Sequence, residues 1–209
     1  MEQQLGQAAK NGDIAQVRQL IAAGVNPAAM DNWAIQLASL NGHTEVVRLL
    51  LSDPRVNPAA NDNNAIRWAS HYGHLEVVRL LLQDPRVNSA VNNNWAIRWA
   101  SRNGHLEVVR LLATAQGFES QRTNQELFYW AISKELSEVV KSLAKLNDVE
   151  PAADENQALL LAAGIGNLEM IKWLIQQPKV DLVSVRDLVI AYAQKNGHIE
   201  TVTFFQNYK

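Results

Sequence analysis

The sequence predicts an all-α solenoid of stacked helix-turn-helix units. Three observations predict it. The hexapeptide "AIRWAS" occupies residues 65–70 and recurs unchanged at 96–101, 31 residues on. The segments "NGHTEVVRLLL" (41–51), "YGHLEVVRLLL" (72–82) and "NGHLEVVRLL" (103–112) fall on the same ruler. Each copy also holds two short runs with helical apolar spacing. One such pair cannot bury its apolar face alone, whereas a stack of pairs shares a core.

Weaker copies extend the ruler in both directions. They are "NGDIAQVRQLI" from Asn11, "KELSEVVKSLA" from Lys134, "IGNLEMIKWLI" from Ile165 and "NGHIETVTFF" from Asn196. Seven copies result, near 1–30, 31–61, 62–92, 93–123, 124–154, 155–185 and 186–209, expected to form one continuous domain over 1–209. Within a copy the first helix is expected over Trp33 to Leu40 and its equivalents, with Ile35 and Ala38 on one face. Gly42, Gly73 and Gly104 end it, as a left-handed glycine just past a helix does. The second helix starts near Glu45, Glu76 and Glu107, acids that complement the helix dipole. Arg48, Arg79 and Arg110 follow three residues later, and Val47, Leu50 and Leu51 supply the apolar stripe. Pro54 and Pro85 stop it.

Two departures from the repeat stand out. In the fifth copy "TAQGFESQRTN" (114–124) replaces the Asp-Pro-Arg-Val loop, and Glu135-Leu136 replaces Gly-His. At the ends, polar residues enter apolar slots. Gln16 and Gln19 take the slots of Val46 and Leu49; Thr201, Thr203 and Gln206 take those of Val46, Arg48 and Leu51. Both ends are therefore expected to face water as the caps of a complete array.

Composition bounds the function. The chain has 209 residues, 47% hydrophobic and 19% charged, with a net charge of −2 and no cysteine. Near-neutrality argues against nucleic acid or an anionic membrane as partner. Without cysteine there is no disulfide framework and no thiolate chemistry, which suits a reducing, cytoplasmic setting. No apolar stretch reaches the length of a membrane span, and the N-terminus has no signal-peptide pattern.

Catalytic and metal chemistry find no pattern either. Ser39, Ser70 and Ser101 lie in an alanine-like slot with no G-x-S-x-G around them. Gly164 and Gly166 form only a G-x-G fragment in a turn. His43, His74, His105 and His198 recur at one slot, about 10 Å apart between copies by helix-packing distances. Zinc bonds of about 2 Å do not span that gap. Each histidine is expected to help close the inter-helix turn. No enzyme activity, cofactor or metal is expected.

The "YGHLEVVRLLL" and "NGHLEVVRLL" segments resemble the second-helix motif of ankyrin repeats, and "AIRWAS" falls where that family carries T-P-L-H-x-A-A. The resemblance covers nearly the whole chain. Ankyrin repeats run to 33 residues, and here the period is 31, with the shortfall in the loop. The resemblance thus implies short or absent β-hairpin fingers, with the polar tips "NDNN" (61–64) and "NNN" (92–94) as plain loops.

The resemblance also implies function. Ankyrin-type proteins meet a partner protein on the concave face made by loop tips and first helices. The matching slots here carry Lys10, Arg67, Arg98, Arg102, Lys134 and Lys195, and no acid. The expected partner-binding residues are Trp33, Leu40, Asn41, Arg67, His71, Tyr72, Trp95, Arg98, Arg102, Asn103, Tyr129 and Lys134. Arg and Tyr are favoured at binding hot spots. Trp33 and Trp95 stand at a slot that elsewhere tolerates Asn and Glu, so they are either anchors or shields for the shortened loop. Trp68, Trp99 and Trp130 share a mostly apolar slot and are expected in the core. The expected function is an adaptor or scaffold that takes an acidic peptide or protein surface, as a monomer. An effector acting on host proteins in a host cytosol, and a purely structural, self-associating element, are the alternatives.

Overall fold

The computed structural model describes residues 1–115 and 123–208, so the loop substitution expected at 114–124 lies mostly outside the described residues. The described residues form helices and turns, with no strand among them. By its contacts the chain divides into two units, Met1–Ser120 and Gln121–Lys209.

The first unit holds four helix pairs: α1 (Glu2–Asn11) with α2 (Ile14–Ala22), α3 (Ala29–Leu40) with α4 (Thr44–Leu51), α5 (Ala60–His71) with α6 (Leu75–Leu81), and α7 (Val91–Arg102) with α8 (Leu106–Ala115). First helices stack in the order α1, α3, α5, α7, and second helices in the order α2, α4, α6, α8. The second unit holds α9 (Asn124–Ser133) with α10 (Ser137–Leu143), α11 (Ala153–Ile165) with α12 (Leu168–Leu174), and α13 (Leu182–Lys195) with α14 (Ile199–Asn207). There α9, α11 and α13 stack in turn.

The core follows the repeat. Ala34, Ile35 and Ala38, then Ala65, Ile66 and Ala69, then Ala96, Ile97 and Ala100 are all buried. The second helices bury Val46, Val47 and Leu50, Val77, Val78 and Leu81, and Val108, Val109 and Leu112. Each fully buried valine, leucine or isoleucine contributes about 1.5–3 kcal/mol. The Arg48–Glu45 and Arg79–Glu76 pairs, at 3.4 and 3.5 Å and solvent-exposed, add about 0–1 kcal/mol each. Apolar burial between copies therefore holds the stack.

The tips are not plain loops. Met30, Asp31 and Asn32 have φ of 54°, 54° and 62°; Asn61, Asp62 and Asn63 have 52°, 55° and 59°; Asp154, Glu155 and Asn156 repeat the pattern. Each run is one left-handed turn, closed by bonds such as Asn32 N–H to the Ala28 carbonyl at 3.0 Å. The right-handed helix then begins at Trp33, where the sequence places it. A left-handed residue other than glycine costs about 1–2 kcal/mol, least for Asn and Asp. In the first two runs the third Asn offsets that cost. The buried Asn32 accepts from the Asn57 amide at 2.6 Å, and Asn63 from the Asn88 amide at 2.8 Å, each in the following copy. In the fifth copy Gln125 takes over, accepting from the Glu150 amide at 2.7 Å.

The ends depart from expectation at one residue. Gln16, Gln19, Thr203 and Gln206 are exposed. Thr201 is buried, and its hydroxyl has no hydrogen-bond partner among the described residues.

Candidate functional site

The residues two before Gly12, Gly42, Gly73 and Gly166 are held by the next copy's histidine. His74 donates from Nε2 to the Leu40 carbonyl at 3.0 Å, and His105 to the His71 carbonyl at 3.1 Å. His43 does the same to Lys10 at 2.8 Å, and His198 to Gly164 at 2.9 Å. Each histidine ring holds the inter-helix turn of the preceding copy, while its backbone amide closes its own, as His74 N–H does on the Ala69 carbonyl at 2.9 Å. The ring fits there because the neighbour is glycine. A Cβ at Gly42 would lie 2.5 Å from His74 Nδ1, and one at Gly73 the same distance from His105 Nδ1.

On the frame these joints fix, five aromatic rings gather in the first unit. Trp68 on α5 lies 5.7 Å from Trp95 on α7, edge to face, and 6.2 Å from Tyr72, stacked. His71 sits among them, 4.6 Å from Tyr72, 5.9 Å from Trp95 and 5.1 Å from Trp99. Trp95 and Trp99, one helical turn apart, are 5.5 Å apart. Two cations lie on this surface. The Arg67 guanidinium is 4.7 Å from the centre of Trp95, and that of Arg102 is 5.1 Å from Trp99. Asn103 donates to the His71 carbonyl at 2.9 Å, with its amide 3.3 Å from His71 Nδ1, which can only accept there. Tyr72 is 50% exposed, so the cluster opens to solvent.

Of the expected site residues, Arg67, His71, Tyr72, Trp95, Arg102 and Asn103 are thus brought together. Arg98 is half-buried on the same helix and already engaged. Leu40 is half-buried, and the exposed Asn41 caps its own helix through the Leu37 carbonyl. Trp33 lies against Gly6, leaving no room for a Cβ there, so it fills a gap in α1. In the second unit Lys134 is exposed, and Tyr129 donates to Asp154 at 2.9 Å. Burial and that carboxylate push the Tyr129 phenol up to about 12.

Two things were missed. Trp68, Trp99 and Trp130 are half-buried rather than core, because their slot lies where the first helix meets solvent. Trp68 and Trp99 belong to the cluster. The Asn32 and Asn63 rungs also escaped notice, although their 31-residue register was visible.

Among the described residues no group of three or more His, Asp or Glu side chains is placed to hold a metal. No described helix is long and apolar enough to cross a membrane.

Stacked helix pairs with an aromatic and cationic face on their first helices define a helical-repeat binding scaffold. A family model for ankyrin repeats, three copies to the model, matches residues 5–94 and 56–124, more than half of the chain. The chain belongs to the ankyrin repeat family. No curated protein matches it.

Proposed function

We propose that this chain is a non-enzymatic adaptor whose first-helix face takes an acidic peptide or protein surface. One observation carries the reading: the Arg67 and Arg102 guanidiniums lie 4.7 and 5.1 Å from the centres of Trp95 and Trp99, and among the described residues neither forms an ion pair. A guanidinium stacked on an indole keeps its N–H edge free for a carboxylate, and stacking limits the entropy lost on binding. The absence of acids from the matching slots of all seven copies favours the same sign of partner.

A binding role is favoured over a catalytic one by how the reactive side chains are engaged. The ladder histidines donate to carbonyls. The hydroxyls of Ser39 and Ser70 are sealed in the core without partners.

The test is fluorescence anisotropy with a glutamate-rich peptide and its glutamine counterpart. The wild type is expected to prefer the acidic peptide, less so as salt rises. Arg67→Glu/Arg102→Glu is expected to weaken binding at least about tenfold, a loss of about 1.4 kcal/mol, with thermal unfolding retained. Equal affinity of wild type and the double variant would refute the reading.

A further inference from the structure

We infer that the acidic ligand carries an aromatic side chain in the same short segment, and that this ring docks on Tyr72; the inference rests on the acidic-ligand reading above. Tyr72 breaks the rule of its slot. The residue just before the turn glycine is asparagine in four other copies, as Asn11, Asn41, Asn103 and Asn196. Asn41 and Asn196 use that side chain to finish their own helix, donating to the Leu37 and Tyr192 carbonyls at 2.8 Å each. Such donors help satisfy the carbonyls of a helix's last turn. In the third copy a tyrosine ring replaces the amide and gives up that bond. The residue is 50% exposed, so packing within the fold covers only part of its ring. Departures from a local rule collect at functional positions.

Three rings steady Tyr72. His71 lies 4.6 Å away, edge to face, and Trp68 and His74 each lie 6.2 Å away, stacked. A side chain already held in this way loses little freedom when a ligand lands on it. Its solvent-facing part offers one more contact of the same kind, and a ring gains more there than an aliphatic side chain of similar area. The network that steadies Tyr72 also runs to both cations. Trp68 leads to Trp95 at 5.7 Å, and Arg67 lies 4.7 Å from Trp95. His71 leads to Trp99 at 5.1 Å, and Arg102 lies 5.1 Å from Trp99. Tyrosine and cations thus share one continuous surface. An exposed guanidinium–carboxylate pair contributes little by itself. Aromatic surface taken out of water supplies what the ion pairs do not.

Labelled glutamate-rich peptides that differ at one central position, holding phenylalanine, leucine or alanine, test this by anisotropy on the full chain. The phenylalanine peptide with glutamine for every glutamate is the control. The phenylalanine peptide is expected to bind at least about threefold tighter than the leucine and alanine peptides, about 0.7 kcal/mol. Tyr72→Asn, which restores the residue of the other copies, is expected to erase that preference while circular dichroism and thermal unfolding stay as in the wild type. Tyr72→Phe is expected to keep it, because the ring and not the hydroxyl is the contact. Arg102→Gln is expected to weaken all three glutamate peptides alike and leave their order unchanged. If the three bind equally but better than the glutamine control, the aromatic inference falls and the acidic-ligand reading stands. If the glutamine control binds as well as its glutamate counterpart, both fall. A phenylalanine preference that survives Tyr72→Asn, or is lost in Tyr72→Phe, also overturns the inference.

Discussion

Glu135 adopts a φ of 56° at a position where Gly12, Gly42, Gly73, Gly104, Gly166 and Gly197 have φ between 73° and 79°. The left-handed region costs a glutamate about 1–2 kcal/mol and costs glycine nothing, though glycine loses more entropy on folding. Glu135→Gly is therefore expected to stabilise the protein by about 0.5–1 kcal/mol, seen as a rise in thermal midpoint. An unchanged or lowered midpoint would mean the glutamate is held there by contacts that outweigh its backbone strain. The sequence marks this site, since Glu135-Leu136 breaks the Gly-His pattern. It does not reveal that the backbone keeps the glycine conformation anyway, with Leu136 buried where the other copies place a ring.

At the level of the helix pair, glycine and histidine act as one joint across two copies. Gly42→Ala would force a Cβ against the His74 ring at a positive φ, and His74→Ala would free the Leu40 carbonyl. Once the ring is gone the alanine meets only backbone strain. In a double-mutant cycle the combined variant is expected to lose about 1 kcal/mol less than the two singles predict together. Strict additivity in chemical denaturation would show that the two residues do not share the joint. Much of this level was legible. The glycine, the acid that opens the second helix and its buried valines follow from local rules of capping and periodicity. The left-handed turns were not, because a run such as Asn61-Asp62-Asn63 reads as a polar loop. Only the pairing of Asn63 with the Asn88 amide in the next copy tells the two apart. Periodicity also could not separate Trp68 and Trp99 from the core, since an apolar slot at a helix edge has the same spacing as one beneath it. For the same reason the binding slots were legible as positions, but not the convergence of their side chains on one row of indoles.

Across the molecule, a few groups set how stability responds to pH. Hydrogen bonds from the Arg55 guanidinium and amide hold the Asp53 carboxyl down at about 2. Arg86 lowers Asp84 in the same manner, and the Ser184 amide and hydroxyl lower Asp181. A lowered carboxyl stabilises the fold above the unfolded value near 4 and loses that contribution as pH falls towards the folded value. Tyr129, raised to about 12, has the opposite sign: its contribution is present below about 10 and lost as pH rises through 12. The thermal midpoint is expected to stay level with respect to these groups between about pH 5 and 9 and to fall on both sides. Asp53→Asn is expected to flatten the acid limb slightly, because the pair is exposed and screened. A variant with an acid limb as steep as the wild type's would remove Asp53 from the account.

Because every joint draws on one copy and its immediate neighbour alone, the chain behaves as a sentence of interchangeable words. Recombination that excises or inserts a whole thirty-one-residue word among the first three copies leaves each remaining ring still seated on a glycine. The near-identical third and fourth words, which between them hold the indole row, bear the mark of such copying. Lengthening the recognition surface is then a matter of gene duplication, with no new interface to invent.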